Sequence, residues 1–311
     1  MTLLIYDDIS LQHDTGYGHP ENASRLENTV AHLRQSNLWE QLRVEKPRAA
    51  SGEEIGLVHP QAYIEAIKKI ADTGGGWLDA DTVVSAASYQ AALYAAGAPL
   101  TAIDLIVKGE EENAFCLIRP PGHHATPARG MGFCLFNNVA IAAKYLQVKY
   151  QLARVFIVDW DVHHGNGTQD AFYGDPTVFY FSMHRYPFYP GSGRKEETGQ
   201  GKGKGFTVNI PLSADTLSKK YTELFADIME QSAAQFLPEF ILISAGFDTY
   251  KKDPIGGLNL EIEDFGTLTE IIMKSADKHC QGRIVSCLEG GYHLSALPLC
   301  IETHLKALLR K

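Results

Sequence analysis

The chain has 311 residues, of which 45% are hydrophobic and 21% are charged, and its formal net charge is -9 at pH 7. This apolar content is enough for a substantial buried core, and the negative charge argues against general binding to nucleic acid or to an anionic membrane. The five scattered cysteines form no CxxC pair, which indicates a reduced protein without a disulfide framework. Because we find no signal peptide and no membrane-spanning stretch, we expect a cytoplasmic protein.

Short β-rich runs alternate along the chain with longer segments of helical periodicity. The predicted strands lie at 2–6, 114–118, 154–159, 177–183, 206–210, 240–245 and 283–288. The predicted helices lie at 60–73, 85–108, 137–150, 218–236 and 262–278. Alternating strands and helices form parallel units, so we predict an α/β fold with a mostly parallel central sheet and helices on both faces. Without repeats or low-complexity linkers, residues 1–311 are expected to form one domain rather than two.

Ionisable and hydroxyl side chains follow four of the predicted strands at the point where each strand ends. These groups lie in residues 119–124, 159–167, 246–248 and 289–292. In open α/β sheets, ligands bind outside the carboxyl ends of the strands. The sequence therefore predicts an active site at this edge of the sheet.

The stretch Asp161-Val162-His163 predicts a metal site. It follows the apolar run at 155–158, and buried carboxylates need a partner. Residues two apart in an extended segment point to the same side, so Asp161 and His163 can bind one cation. Oxygen and nitrogen donors suit zinc or another first-row divalent metal, with room for water. Asp248 is the natural third ligand.

The motifs at these strand ends resemble those of the zinc-dependent histone deacetylase family, which has the arginase/deacetylase fold. The resemblance covers nearly the whole chain, and its motifs lie at 18–21, 119–125, 132–140, 159–167, 244–248 and 288–292. Asn166 stands where class I enzymes usually have an aspartate, which is similar to the class II branch. That branch includes bacterial deacetylases and acetylpolyamine amidohydrolases.

The resemblance implies an amidohydrolase with one metal ion, zinc or alternatively ferrous iron. Asp161, His163 and Asp248 would hold it, the same three residues that the spacing indicates. The metal would polarise the acetyl carbonyl and activate a water molecule. Tyr292 would donate its phenolic hydrogen to the developing oxyanion.

The resemblance also assigns proton transfer to the tandem pair His123-His124. His124 would be the general base and later the proton donor to the leaving amine, with His123 as its electrostatic and proton-transfer partner. Asp159 and Asn166 would orient the two imidazole rings and separate their pKa values. The catalytic set is therefore His123, His124, Tyr292, Asp159 and Asn166.

A monovalent cation, usually potassium, accompanies this site in the family. The matching oxygen ligands would come from the Asp159 and Ser182 side chains and from the main-chain carbonyls of Asp161, His163 and Met183. We therefore expect a structural potassium ion beside the zinc.

The acyl-lysine channel of the family is walled by two aromatic residues and a glycine. Gly132 and Phe133 match this pattern, whereas Tyr189 stands where phenylalanine is common, which leaves the acyl-chain preference open. Asp81 matches an aspartate that binds the substrate backbone in some relatives. Some polyamine-specific relatives carry an acidic gatekeeper where this chain has Ile255, so the position favours acyl-lysine over polyamines.

Three functions remain open from the sequence. The first is removal of acyl groups from acyl-lysine in proteins or peptides, and the second is hydrolysis of small acetylated amines such as acetylpolyamines. The third is a non-catalytic, metal-bearing binding module, against which the retention of Tyr292 and both histidines argues. The sequence does not define the oligomeric state. His164 and six other histidines (His32, His59, His184, His279, His293 and His304) are predicted to be structural.

Overall fold

A parallel sheet forms the centre of the computed structural model, which describes residues 1–310. The strands in this part of the chain are β1 (Thr2–Ile5), β2 (Arg43–Glu45), β3 (Gly75–Trp77), β4 (Val83–Ser85), β5 (Asn113–Cys116), β6 (Val155–Asp159), β7 (Val178–Arg185), β8 (Thr207–Leu212), β9 (Phe240–Ala245) and β10 (Ile284–Leu288). Eight of them pair in the order β2-β1-β5-β10-β9-β6-β7-β8, and every neighbouring pair is parallel. β3 and β4 form a separate antiparallel hairpin. The predicted parallel sheet is confirmed.

Helices cover both faces of this sheet. In residues 1–310 they are α1 (Ser24–Gln35), α2 (Gly52–Ile55), α3 (Gln61–Asp72), α4 (Ser88–Val107), α5 (Asn138–Tyr150), α6 (Asn166–Phe172), α7 (Ser218–Phe236), α8 (Ile262–Cys280) and α9 (Leu297–Leu308). Successive residues of a strand point to opposite faces, so β6 places Phe156 and Val158 in one buried cluster, and Val155 and Ile157 in the other. Helices α1, α7, α8 and α9 pack on the first cluster, and α3, α4 and α5 on the second.

All seven predicted strands and all five predicted helices are present, with ends that differ by a few residues. The predicted start of the second helix at Ser85 is wrong. Ser85 ends β4, and its N–H donates to Ser88 Oγ at 2.7 Å, so the helix begins at Ser88. Four helices and three short strands were not predicted: α1, α2, α6 and α9, with β2, β3 and β4.

Helix α4 corrects the expectation that no stretch is long enough to span a membrane. The helix has 20 residues and contains an 18-residue window with a mean hydropathy of 1.4, which meets the requirement by length and composition. However, 61% of that apolar window is buried inside the protein. Packing in the core therefore accounts for the composition of this helix.

The buried histidine of α9 links three elements of the first cluster. His304 Nδ1 lies 2.6 Å from Thr269 Oγ1 on α8, and its Nε2 lies 3.0 Å from Ser286 Oγ on β10. Burial lowers the pKa of His304 from 6.5 to about 3, so the folded protein keeps this imidazole neutral.

This depressed pKa predicts a contribution to acid denaturation. Below pH 6.5 the unfolded chain binds a proton at His304 and the folded chain does not. The contribution of His304 to the free energy of unfolding is therefore fully present above pH 6.5 and is lost as the pH falls toward 3. In the uncharged variant His304→Gln, the free energy of unfolding should depend less on pH between 6.5 and 4.5, by about 1.4 kcal/mol per pH unit. Urea titrations across this range measure the slope, with the surface variant His279→Gln as control. An unchanged slope in His304→Gln would refute the assignment.

Candidate active site

The four central strands of the sheet bring the predicted site residues together. β5, β10, β9 and β6 are consecutive neighbours, and the chain leaves each of them at the same edge of the sheet. The segment after β5 carries His123 and His124, and the segment after β6 carries Asp161 and His163. Asp248 follows β9 and Tyr292 follows β10. All of these side chains are buried.

Asp161, His163 and Asp248 offer three ligand atoms that all lie within 4.8 Å of one another. His163 Nδ1 lies 3.0 Å from Asp161 Oδ1 and 3.2 Å from Asp248 Oδ2. Ligands at about 2.0–2.2 Å from one tetrahedral ion are separated by roughly 3.3 Å, so the spacing fits a single small metal ion.

Two further observations show that this group fits a cation. Asp248 Oδ2 is buried and accepts no hydrogen bond of normal geometry from residues 1–310. Burial, together with the adjacent Asp161 carboxylate, raises the pKa of Asp248 to about 7. Burial lowers the pKa of His163, but the two carboxylates outweigh it and raise that pKa to about 9. Two buried carboxylates this close are stabilised by a positive charge between them, which a metal ion would supply.

The chain keeps space for this group by placing Gly290 beside it. A Cβ at this position would lie 2.2 Å from Asp248 Oδ2 and 2.6 Å from Asp161 Oδ2. The Gly290 N–H instead donates to Asp161 Oδ2 at 2.8 Å, and the Val162 N–H donates to Asp248 Oδ1 at 2.9 Å. The His163 N–H also donates to Asp161 Oδ1 at 2.9 Å, so Asp248 Oδ2 is the carboxylate oxygen of the pair without a backbone donor.

His124 has a defined tautomer because of its hydrogen bond to Asn166. Asn166 Nδ2 donates to the main-chain oxygen of His124 at 3.4 Å, which directs Asn166 Oδ1 toward the ring. His124 Nδ1 therefore donates to Asn166 Oδ1 at 2.8 Å and leaves the Nε2 lone pair available. Burial, followed by the charges of His123 and His163, lowers the pKa of His124 well below its usual value. A neutral imidazole of this kind can accept a proton.

His123 has the opposite electrostatic environment. Its Nδ1 donates to Asp159 Oδ2 at 3.0 Å, and that oxygen also accepts from Tyr180 Oη at 3.0 Å. Burial lowers the pKa of His123, but the Asp161 and Asp159 carboxylates outweigh it and raise that pKa well above its usual value. The two adjacent histidines, whose ring centroids lie 4.0 Å apart, therefore have pKa values shifted in opposite directions.

Glu289, for which the sequence predicts no role, holds the turn that carries these histidines. Its fully buried carboxylate accepts from the Gly122 N–H at 2.7 Å, from the His123 N–H at 3.2 Å and from Ser244 Oγ at 3.0 Å. Burial raises its pKa to about 7, against the opposing charge of His123. The sequence shows Glu289 within Leu-Glu-Gly-Gly-Tyr. It does not show that this carboxylate contacts the N–H of His123, which lies 166 residues earlier in the chain.

Tyr292 lies across the site from the histidines, and its ring packs against Phe133 at a centroid distance of 5.9 Å. The Arg25 guanidinium lies 4.8 Å from the centre of the Tyr292 ring and donates to the main-chain oxygens of Gly291 at 2.7 Å and Glu289 at 2.6 Å. Burial raises the pKa of Tyr292 well above its usual value. The phenol therefore remains a hydrogen-bond donor at neutral pH.

A cavity of about 280 Å³ leads from the surface to these groups. Its lining includes all five predicted channel residues, Gly132, Phe133, Tyr189, Asp81 and Ile255, together with His124, His163 and Tyr292. Pro20 and Phe188 also line it and were not predicted. The Phe188 ring stacks on His163 with centroids 5.2 Å apart, so it forms part of the wall beside the metal ligands.

The close approach of the wall to His124 depends on Gly132. A Cβ at this residue would lie 2.4 Å from the His124 ring, and its φ of 56° is in the region that favours glycine. The Tyr189 ring lies on the same side, with its centroid 5.1 Å from that of His124. Burial and the nearby Asp81 carboxylate raise the pKa of Tyr189, so a neutral hydroxyl lies near the cavity mouth.

The residues predicted to bind a monovalent cation are buried. Asp159 ends β6 and is the register partner of Ser182, which lies within β7 with Met183, and Asp161 and His163 follow β6. Three of the predicted ligands already have hydrogen bonds, among them Asp159, whose Oδ2 accepts from His123 and Tyr180. Ser182 Oγ lies 2.8 Å from His184 Nδ1, and the Met183 main-chain oxygen accepts from Tyr221 Oη at 3.4 Å. Binding of potassium therefore stays a prediction.

Other histidines have local partners, in agreement with a structural role. His164 bonds Ser192 and Gln169 rather than the metal ligands, at 2.8 and 3.1 Å. His184 Nε2 lies 2.9 Å from the main-chain oxygen of Gly193. His59 lies 2.9 Å from the Asn137 N–H, at the start of α5.

Comparison with known proteins agrees with this geometry. The family model described as "Histone deacetylase domain" matches residues 19–308. The chain is 41% identical over 301 residues to a probable deacetylase of Archaeoglobus fulgidus, covering 96% of this chain and 83% of the relative. It is 35% identical over 291 residues to the histone deacetylase-like amidohydrolase of Pseudomonas aeruginosa, covering 93% and 77% of the two chains.

The fold is also that of a solved relative. The crystal structure of the HDA15 HD domain superimposes with a TM-score of 0.94 at 33% identity, and the match covers 99% of this chain and 90% of that one. Sequence, fold and the grouping of ionisable residues agree. The chain belongs to the histone deacetylase family of hydrolases.

Proposed function

We propose that this protein is a zinc-dependent deacylase that removes acetyl or related acyl groups from acyl-lysine side chains of proteins or peptides. The observation that carries this proposal is a cavity whose lining includes the exposed Tyr189 and the half-buried Ile255 as well as the buried His163 and Tyr292. An acyl-lysine carries its amide at the end of a long side chain, so the amide can lie beside the buried residues while the backbone stays near the exposed ones.

The character of the walls favours an acyl-lysine over an acetylpolyamine. Phe133, Phe188 and Tyr189 surround the path with aromatic surface, and Ile255 adds an aliphatic group. An acylated lysine has an uncharged stem of methylene groups, which this surface can desolvate favourably. A polyamine has a secondary ammonium group along its stem. Among the residues that line the cavity only Asp81 could pair with it, and these four apolar side chains could not, so burying that charge against them is costly. Hydrolysis of acetylpolyamines is the alternative.

The metal group would be held by Asp161, His163 and Asp248, whose donor set suits zinc and also accommodates ferrous iron. When bound, zinc polarises the acyl carbonyl and lowers the pKa of a coordinated water. A monovalent cation beside Asp159 and Ser182 is part of the same proposal. It is supported by the burial of these two residues, which are register partners on adjacent strands.

Three side chains of the site then have separate roles in proton transfer and charge stabilisation. His124 accepts a proton from the attacking water through Nε2, while Asn166 holds Nδ1–H and prevents the ring from rotating. His123, with its raised pKa, stabilises negative charge that develops beside it. Tyr292 donates its O–H to the former carbonyl oxygen. The proton on His124 passes to the amine nitrogen as the C–N bond breaks, which releases the free amine and a carboxylic acid.

The oxyanion role of Tyr292 predicts a large loss of turnover in Tyr292→Phe. Removing one such hydrogen-bond donor lowers kcat by about 10²–10³-fold, because the donor acts on the transition state. Steady-state kinetics on an acetyl-lysine peptide measure this, and zinc content measured in the same samples should be unchanged. Equal kcat in the two proteins would exclude the oxyanion role.

The proposed substrate class predicts a preference between two amides. The protein should hydrolyse an acetyl-lysine peptide with kcat/KM at least about 10-fold above that for acetylspermidine, since the aromatic and aliphatic walls do not pair with an ammonium group. Ile255→Glu should shift the ratio toward acetylspermidine, and Ile255→Leu, its matched apolar control, should not. If the wild-type protein prefers acetylspermidine, the alternative function is correct.

A further inference from the structure

One carboxylate ties the loop after β9 to the loop after β10. Asp253 Oδ1 accepts from the main-chain N–H groups of Ile255 and Gly256, both at 3.1 Å. Asp253 Oδ2 accepts from the N–H groups of Tyr292 at 2.7 Å and His293 at 3.2 Å. A single side chain therefore fixes two backbone segments that are 36 or more residues apart.

The two segments carry different parts of the site. Ile255 and Tyr292 both line the cavity, whereas Asp253 is not among the residues that line it. The same turn also packs on a proposed metal ligand, because the Gly257 N–H donates to the Asp248 main-chain oxygen at 2.6 Å. Asp253 thus lies outside the cavity lining and contacts the backbone of Ile255 and Tyr292, which belong to that lining.

The backbone before Tyr292 needs such an anchor. Gly290 and Gly291 precede it, and Gly291 has a φ of 119°, so this segment has little conformational restraint of its own. Arg25 donates a hydrogen bond to the Gly291 carbonyl, and Asp253 accepts one from the N–H group of Tyr292. Together they flank the one residue whose ring must keep a fixed distance from the reacting carbonyl.

We propose that Asp253 is a positioning residue that sets the phenol of Tyr292 relative to the channel residue Ile255. This inference rests on the proposed role of Tyr292. It also implies that a substrate contact at Ile255 is felt at Tyr292, since both backbones share one acceptor. Asp253 itself does not contact the reacting atoms.

A double-mutant cycle on the zinc-loaded protein tests this proposal. Asp253→Ala should lower kcat for an acetyl-lysine peptide by about 10- to 100-fold, the scale expected for a small displacement of a group needed in the transition state. In a Tyr292→Phe background the same change should cost less than about 3-fold, because the hydroxyl that Asp253 positions is already absent. KM and zinc content should change little in all variants.

Two controls separate positioning from general damage. Asp253→Asn keeps one oxygen for one pair of N–H groups and should retain more activity than Asp253→Ala; it replaces the alanine variant in the cycle if that variant does not fold. Asp264→Ala removes a carboxylate that accepts the Glu261 N–H at 2.7 Å near the start of α8, away from the cavity, and should keep wild-type kcat.

The outcomes distinguish the two proposals. Additive losses in the cycle, or wild-type kcat in Asp253→Ala, overturn the positioning role while the proposed function stands. Wild-type kcat in Tyr292→Phe overturns the oxyanion role, and the positioning proposal with it.

Discussion

The mutual repulsion of two buried carboxylates is the constraint on which the site depends. Asp161 and Asp248 are fully buried and lie on either side of His163 Nδ1, at 3.0 and 3.2 Å. In a low-dielectric interior two like charges raise the free energy of the folded state, which favours a cation between them or protonation of Asp248, whose pKa is raised to about 7. The sheet order, the glycine at 290 and the backbone donors of Val162 and Gly290 all preserve this arrangement.

Charged side chains in this site also set the pKa values of His123 and His124, to which we assign the proton transfers. Asp159 pairs with His123 and favours its protonated form, whereas the neutral Asn166 pairs with His124 and fixes its tautomer without adding charge. This difference between the two partners adds to the Asp161 charge, which raises the pKa of His123, and to burial with the charges of His123 and His163, which lower the pKa of His124. Glu289 and Asp253 stabilise the backbone around this arrangement, one beneath the histidines and the other behind Tyr292.

Much of this could be predicted from local sequence. Apolar, β-branched runs such as 155–158 predict buried parallel strands, and polar residues directly after them predict a site at the carboxyl edge. The spacing of Asp161 and His163 indicates shared coordination because extended residues two apart face the same side. The order of the motifs then identified the family. All five predicted channel residues line one cavity, as the family resemblance implies.

What could not be predicted depends on tertiary structure. Nothing local shows that β10 lies between β5 and β9, and this order is what brings Glu289 to the N–H groups of Gly122 and His123. The strand β2 was not predicted because Arg-Val-Glu has no apolar run and is defined by its pairing with β1. Phe188 carries no signal apart from its place beside Tyr189, and its stacking on His163 follows from the path of the chain after β7.

Metal content tests the central claim most directly. After reconstitution with zinc and removal of excess metal, elemental analysis should find about one equivalent per wild-type chain, as expected for three protein ligands and an open position. Asp248→Ala should lose most of it, while Asp277→Ala, which removes a surface carboxylate paired with Arg310, should not. Full zinc occupancy in Asp248→Ala, or no uptake by the wild-type protein, would contradict the account.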